Sequence, residues 1–317
     1  MSNFKRKKQK IKDNPSALLL SDWHLRESIP TCRTDNFWEA QNDKTDFIID
    51  LAKRHNIPIL VGGDLGHKAK WSCKLLEWAI EKFKNVEIFV IAGQHDLPQH
   101  QTQQWRQSGI GVLHAAGAIK FIQQPETLEG KNITIFPFSF GQEMINPDEF
   151  KKNNKLIAVT HQMVIENKPL WPGQEAPKGH QLLKEFPEYD LILSGDNHLS
   201  FISEYKNRVL CNPGSIMRTT AAQVNHKPRI YLWYAETNEI QVIYLPINQN
   251  VISREHIGES KQKKERMDSY LKRIDSYLKG IRSDVEIELS FEQNISEYFQ
   301  KNRTQIPIKN KVFEAME

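Results

Sequence analysis

The chain has 317 residues, long for one domain and short for two large ones, so one main domain with an appendage is expected. Hydrophobic residues make up 39% and charged residues 26%, an ordinary soluble composition, and no apolar run approaches the roughly 18–20 residues of a membrane helix. The net charge of +4 permits a nucleic-acid partner without demanding one.

The start, "MSNFKRKKQKIKDNPS", carries six Lys/Arg and no acid over residues 3–12, with no apolar stretch behind it of signal-peptide length. Residues 1–14 read as a basic flexible tail, solvated or in weak contact with a phosphate backbone. From residue 16 strands and helices alternate. "ALLLS" reads as a buried strand, and "NFWEAQNDKTDFIIDLAKRH" spaces Phe37, Ala40, Phe47, Ile48 and Leu51 as a helix. "IPILV" is a strand, "CKLLEWAIEKF" a helix and "VEIFVIAG" a strand, the signature of a layered α/β sheet. From about residue 117 the strands crowd: "AIKFI", "NITIFPF", "KLIAVT", "YDLILSG", "FISEY", "RVLCN", "RIYLWY" and "IQVIYL". They predict a second sheet packed on the first.

Near residue 250 the character changes. "SKQKKERMDSYLKRIDSYLKGI" is charged and helical, with Met267, Ile274 and Ile281 in one row and Tyr270, Leu271, Tyr277 and Leu278 beside it. "VEIELSF" alternates as a half-buried strand, and "NKVFEAME" reads as a short helix. Residues 15–250 are thus the main domain and 251–317 a small α+β appendage for capping or partner docking. Cys32, Cys73 and Cys211 are too few and too scattered for a disulfide framework, which points to a reducing cytoplasm.

Chemistry collects where the strands end. After "ALLLS" come Asp22 and His24, after "IPILV" Gly62-Gly63-Asp64, and after "VEIFVIA" Gly93-Gln94-His95-Asp96. After "KLIAVT" comes His161, and after "YDLILS" Gly195-Asp196-Asn197-His198. Each alone is explained by turn chemistry. Together they occupy the carboxyl edge, where open α/β sheets bind ligands. Carboxylates with imidazoles suit Mn²⁺, Fe²⁺ or Zn²⁺ without any cysteine. Asp22 and His24 point the same way because a strand's side-chain period is two. A carboxylate can bridge two cations, the usual device for phosphate-ester hydrolysis, in which a metal-bridging hydroxide attacks phosphorus.

This order of motifs, D-x-H, G-D, G-Q-H-D, a lone His and G-D-x-H over residues 16–220, resembles the calcineurin-like metallophosphoesterase superfamily. Within it "GGDLGHK" is similar to the G-G-D-L-F-H segment of SbcD-type DNA repair exonucleases, and "CNPGSIMR" to their P-G-S segment. Compactness and "GQHDLP" resemble phage members of that branch. The resemblance implies two packed mixed β-sheets flanked by helices in a four-layer sandwich. It implies two divalent ions, Mn²⁺ first with Mg²⁺ or Fe²⁺ as alternatives. Asp22, His24, Asp64 and His198 would hold metal one, with Asp64 bridging. Gln94, His161 and Asp196 would complete metal two. His95, oriented by Asp96, would assist the departing 3′-oxygen, and His67 would face the substrate. Arg218 is a further candidate for substrate phosphate. Implied partners are DNA, a SbcC-type ATPase and a second copy of the chain, in a bacterial host's cytoplasm if the protein is phage-encoded.

Two positions depart from the family pattern, Gln94 for Asn and Asp196 for the first His of G-H-x-H. Both fall at metal two, and an anionic oxygen there favours Mn²⁺ or Mg²⁺. Two other functions stay open: a phosphatase or small-molecule phosphodiesterase, and a catalytically weakened scaffold that binds DNA ends. Lys152, Lys155, Lys168 and Lys178 add positive charge to predicted loops.

Overall fold

A computed structural model of the chain describes residues 11–128, 130–147, 154–255 and 291–302, and a few single positions between and beyond them. The N-terminal ten residues lie outside it, as do residues 285–290 of the expected strand "VEIELSF" and the whole of the expected helix "NKVFEAME"; Phe291, the last residue of that expected strand, is helical. Two compact units are distinguished, residues 1–256 and 257–317.

In the first unit the sequence patterns become elements with ordinary causes. Strand β1 is Ala17–Leu20 and helix α1 Phe37–His55. Asn36 caps α1 by accepting the Glu39 N–H at 3.2 Å, and Asn56 ends it in the left-handed region. Strand β2 is Ile59–Val61, and Ser72 caps helix α2, Cys73–Phe83, by accepting the Leu75 N–H. Strand β3 is Ile88–Val90. Helix α3, Gly109–Ala115, has no sequence signal: its Gly109 and Gly111 disfavour a helix, yet any side chain there would strike Trp71 or the Arg106 backbone. Packing overrides propensity.

Then follow β4, Lys120–Phe121, β5, Glu126–Leu128, β6, Ile133–Phe138, and β7, Lys155–Thr160. Helix α4 is Gly179–Glu185, and β8 is Leu191–Ser194. The last strands are β9, Phe201–Tyr205, β10, Arg208–Asn212, β11, Arg229–Tyr234, and β12, Glu239–Tyr244.

Two mixed six-stranded sheets result, in the orders β12-β11-β1-β2-β3-β4 and β5-β6-β7-β8-β10-β9. The late strands are not all in the second sheet, as their crowding in the sequence had suggested. β4 extends the first sheet beside β3, and β11 returns to pair antiparallel with β1. The reason is that β11 offers Tyr231 and Trp233 to the interior between the sheets and Ile230 and Leu232 to the helix side, the same double-faced pattern as β1.

The side-chain period of two sorts the core into layers. Leu18, Leu20, Ile59, Val61, Ile88 and Val90 pack toward α1, α2 and α3. Leu19, Leu60 and Phe89 face Ile133, Ile135, Ile157, Val159, Leu191 and Leu193 across the gap between sheets. Phe136, Ala158, Ile192 and Leu210 point outward onto Leu182 and Leu183 of α4. This is the four-layer α/β sandwich. In the second unit, helix α5, Phe291–Lys301, is described, and Leu271 and Ile274 are helical and exposed. The rest of the expected apolar row lies outside the described residues.

Leu19 is fully buried between the sheets. Leu19→Ala should lower unfolding free energy by about 2–5 kcal/mol in denaturant titration, whereas Leu199→Ala, half exposed, should leave it close to wild type.

Candidate metal centre

The parallel strands β1, β2 and β3 of one sheet and β7 and β8 of the other all end at the same edge. Their following loops are stitched together by backbone bonds: Asp22 N–H to Gly63 O, His24 N–H to Asp64 O, and Gly195 N–H to Thr160 O. The segment after β10 closes the ring, with Ser215 N–H on His198 O and Ile216 N–H on Asp22 O, each 3.2 Å. Lys44 of α1, itself buried, donates from Nζ to Ile216 O at 3.1 Å and so braces that segment.

The side chains converge. Asp22 and Asp64 are completely buried, and His24 and His161 nearly so. His24 Nε2 lies 3.1 Å from His198 Nε2, and both are 3.6–3.8 Å from Asp22 Oδ1. Asp64 Oδ2 stands 3.5 Å from His161 Nε2, 3.8 Å from His24 Nε2 and 4.0 Å from His95 Nε2. Three triads have ligand atoms close enough to share a cation: Asp22/His24/His198, His24/Asp64/His95 and Asp22/Asp64/His161. Asp22 and Asp64 each belong to two of them. Two carboxylates are therefore shared, where the sequence analysis expected Asp64 alone.

The atoms at the focus are buried and have no hydrogen-bond partner: Asp22 Oδ1, Asp64 Oδ2, His161 Nε2 and Gln94 Oε1. Buried polar atoms are almost always paired, so these orphans, with Asp64 Oδ2 and His161 Nε2 3.5 Å apart, have the chemistry of a cation-binding set. Their other atoms are tied down. Asp64 Oδ1 accepts the His95 N–H at 2.9 Å, Asp22 Oδ2 accepts the Ser21 hydroxyl, and His161 Nδ1 donates to Gly62 O at 2.6 Å. That last bond places the His161 lone pair on Nε2, facing the carboxylates. Oxygen and imidazole donors without sulfur fit divalent Mn, Fe, Mg or Zn.

Backbone strain marks the same residues. Asp22, His24 and Asp64 all have φ near +50°, and Asp196 has +76°. Non-glycine residues held there cost about 1–3 kcal/mol each and gather at functional sites. A Cβ at Gly93 would overlap the Asp64 carboxylate and backbone, and one at Gly63, φ +91°, would overlap the His161 ring.

Electrostatics follow. Burial alone would push His161 down, but Asp64, Asp22 and the Gly62 carbonyl together lift it to about 10. Burial, with repulsion from His198, His95 and His67, drives His24 down to about 3, so its ring is a neutral ligand. Burial opposes ionisation of Asp64, yet the imidazoles, His161 first, hold it at about 2.

The remaining expected residues separate. Asp96, buried, accepts the backbone N–H groups of Leu65, Gly66 and Gly93 at 2.8–3.2 Å. It clamps the β2 and β3 loops together; its hydrogen bonds go to these amides, not to the His95 ring it was expected to orient. Asp196 Oδ1 accepts Gln94 Nε2 at 2.8 Å and belongs to none of the triads among the described residues. Through this bond Asp196 holds the Gln94 amide, whose buried Oε1 has no hydrogen-bond partner. Arg218 is buried and donates to Val224 O and Asn248 O beside Arg33 and Lys44, which ties it to the fold instead of to the centre. His67 stacks on His95, ring centroids 5.8 Å apart, at the exposed lip. Ser21, the Gly62 carbonyl and Lys44 were missed by sequence reasoning. Ser21's place next to Asp22 was the one available signal.

Against known proteins, the calcineurin-like phosphoesterase model matches residues 16–200. The chain belongs to that family. With its ligand triads it is a metal-dependent phosphoesterase. No curated protein matches the chain. Similar solved structures include an archaeal phosphodiesterase, 14% identical, covering 72% of this chain and 99% of that one, with a TM-score of 0.39. Others are a sulfate thiohydrolase SoxB of Thermus thermophilus, 11% identical, 81% and 61% covered, TM-score 0.45, and a putative 5′-nucleotidase of Staphylococcus aureus, 12% identical, 78% and 58% covered, TM-score 0.43.

Two outcomes are expected. His161 binds a proton below about pH 10 and must lose it to ligate, so cation affinity should rise with pH and binding near pH 8 should release a proton, read by calorimetry in buffers of different ionisation enthalpy. Asp196→Ala should free the Gln94 amide and weaken the second cation about 10–100-fold in a metal titration, while Asp196→Asn, still an acceptor, loses less.

Proposed function

We propose that this phosphoesterase cuts DNA phosphodiesters in repair or recombination, as a homodimer working with a SbcC-type ATPase. The observation that carries the reading is the lip of the centre. The ligands are buried, but the His95 side chain is 41% exposed and sits 5.1 Å, ring to ring, from His24. His67, from the G-G-D-L-x-H segment, lies flat against it. A substrate phosphate reaching the cations would pass alongside this pair of imidazoles.

Two divalent cations, when bound, supply charge to polarise the phosphodiester and an activated water. Asp22, His24, Asp64 and His198 would hold one, and Asp64, His161 and the Gln94 carbonyl the other, with Asp22 within reach of both. The chain's own residues do the rest. The Asp64 carboxylate fixes the His95 backbone, and the exposed His95 ring would serve the departing 3′-oxygen. Burial and the nearby Arg26 and His95 hold His67 down to about 4, so at neutral pH it is an uncharged hydrogen-bonding group for a sugar or phosphate oxygen.

The weakened-scaffold reading has its own support in Asp196, which hydrogen-bonds Gln94 and belongs to none of the triads among the described residues. One experiment separates the readings. With Mn²⁺ the wild type is expected to degrade linear duplex DNA, and His95→Ala to slow this by about 10²–10⁴-fold while still binding cations. Intact DNA together with ready hydrolysis of bis(p-nitrophenyl) phosphate would move the assignment to a small-molecule phosphodiesterase. Binding of DNA ends with neither hydrolysis would make it the scaffold.

A further inference from the structure

Beside the metal centre stands an arm, residues 164–178, that plays no part in holding it. Its ends are anchored. Val164 and Ile165 are buried, Ile165 pairs with Lys178, and Asn197 donates from Nδ2 to Val164 O at 2.7 Å. Asn197 immediately precedes the ligand His198, so the arm and the centre share a support. The tip is ordered by its own bonds, Leu170 N–H to Gln174 Oε1 at 2.6 Å and Gln174 N–H to Trp171 O at 3.3 Å. This built tip turns Leu170 and Trp171 outward, 40% and 53% exposed. The pair is thus available for contact on an ordered loop.

Under the arm lies a groove of about 870 Å³. Lys168 of the arm, Lys227 and Arg229 supply positive charge, and Glu166 is the one carboxylate among the lining residues described. Leu199, next to His198 and half exposed, gives the groove an apolar floor. Leu170 lines the groove and the exposed Trp171 follows it on the same tip; cations along a channel with an exposed aromatic side chain at its rim are the composition that binds single-stranded nucleic acid. A duplex hides its base faces and could not use Trp171. A docking polypeptide helix would use the Leu–Trp pair but gains nothing from three cations.

We infer that this groove holds the unpaired strand leading to or from the scissile phosphate, with a base against Trp171 and backbone phosphates against Lys168, Lys227 and Arg229. The inference rests on the phosphodiester reading above and adds that the strand is single where it meets the enzyme.

Anisotropy of a fluorescein-labelled, phosphorothioate-protected dT20 reads it directly. Trp171→Ala, an exposed change, should keep the wild-type thermal midpoint and weaken binding about 5–50-fold, with Trp171→Phe restoring most of the affinity. Lys227→Ala should weaken binding and flatten the log Kd against log salt slope by about one. If both variants bind dT20 as the wild type does while the wild type digests DNA, the groove inference alone is overturned. Loss of binding to a partner polypeptide in Trp171→Ala, with dT20 affinity unchanged, would also overturn it and make the arm a protein-docking element. If the wild type binds no oligonucleotide yet hydrolyses bis(p-nitrophenyl) phosphate, the nuclease reading and the groove fall together.

Discussion

Everything in this molecule is arranged around one costly object, the Asp64 carboxylate. It is completely buried. Burying an ionised carboxylate is expensive unless it is paired and hydrogen-bonded. One oxygen is satisfied by the His95 N–H, and the other faces three imidazole nitrogens at 3.5–4.0 Å. The positive φ of Asp64 and the absence of a side chain at Gly93 both belong to bringing that carboxylate into place. The same charge accounts for the high affinity of His161 for a proton, and so for a cation.

The sandwich supplies what that arrangement needs. Strand ends from two sheets meet at one edge, so residues far apart in the chain can converge without long loops. The loops are then locked by backbone bonds, by Asp96 across the β2 and β3 turns, and by the 213–218 segment across Asp22 and His198. Buried Lys44, held down to about 7 by burial and by Arg33 and Arg218, braces that segment from α1. The stored strain at Asp22, His24 and Asp64 is sustained by this surrounding rigidity.

Much of the fold could be read from the chain because both sheets are covered on both faces. Their strands are continuous apolar runs, and each ends at a glycine or polar residue that stands out. The clustered residues Asp22, His24, Asp64, His161 and His198 were legible for that reason. The strand order was not, since β11 carries no local mark of pairing with β1. The hydrogen-bond partners of Asp96 and Asp196 were not legible either. A carboxylate in a motif looks the same in sequence whether it faces a cation, an amide N–H or a glutamine.

By itself, then, the sequence determined which strands are buried, which residue types stand at their ends and that oxygen and imidazole ligands dominate. These are local properties, set by side-chain period and turn chemistry. The tertiary structure alone decided that Asp22 is shared as well as Asp64, that Asp196 serves Gln94, that Arg218 serves the fold, and that an arm carrying Trp171 stands beside His198. Each depends on which atoms come into contact across distant segments, something that no spacing along the chain encodes.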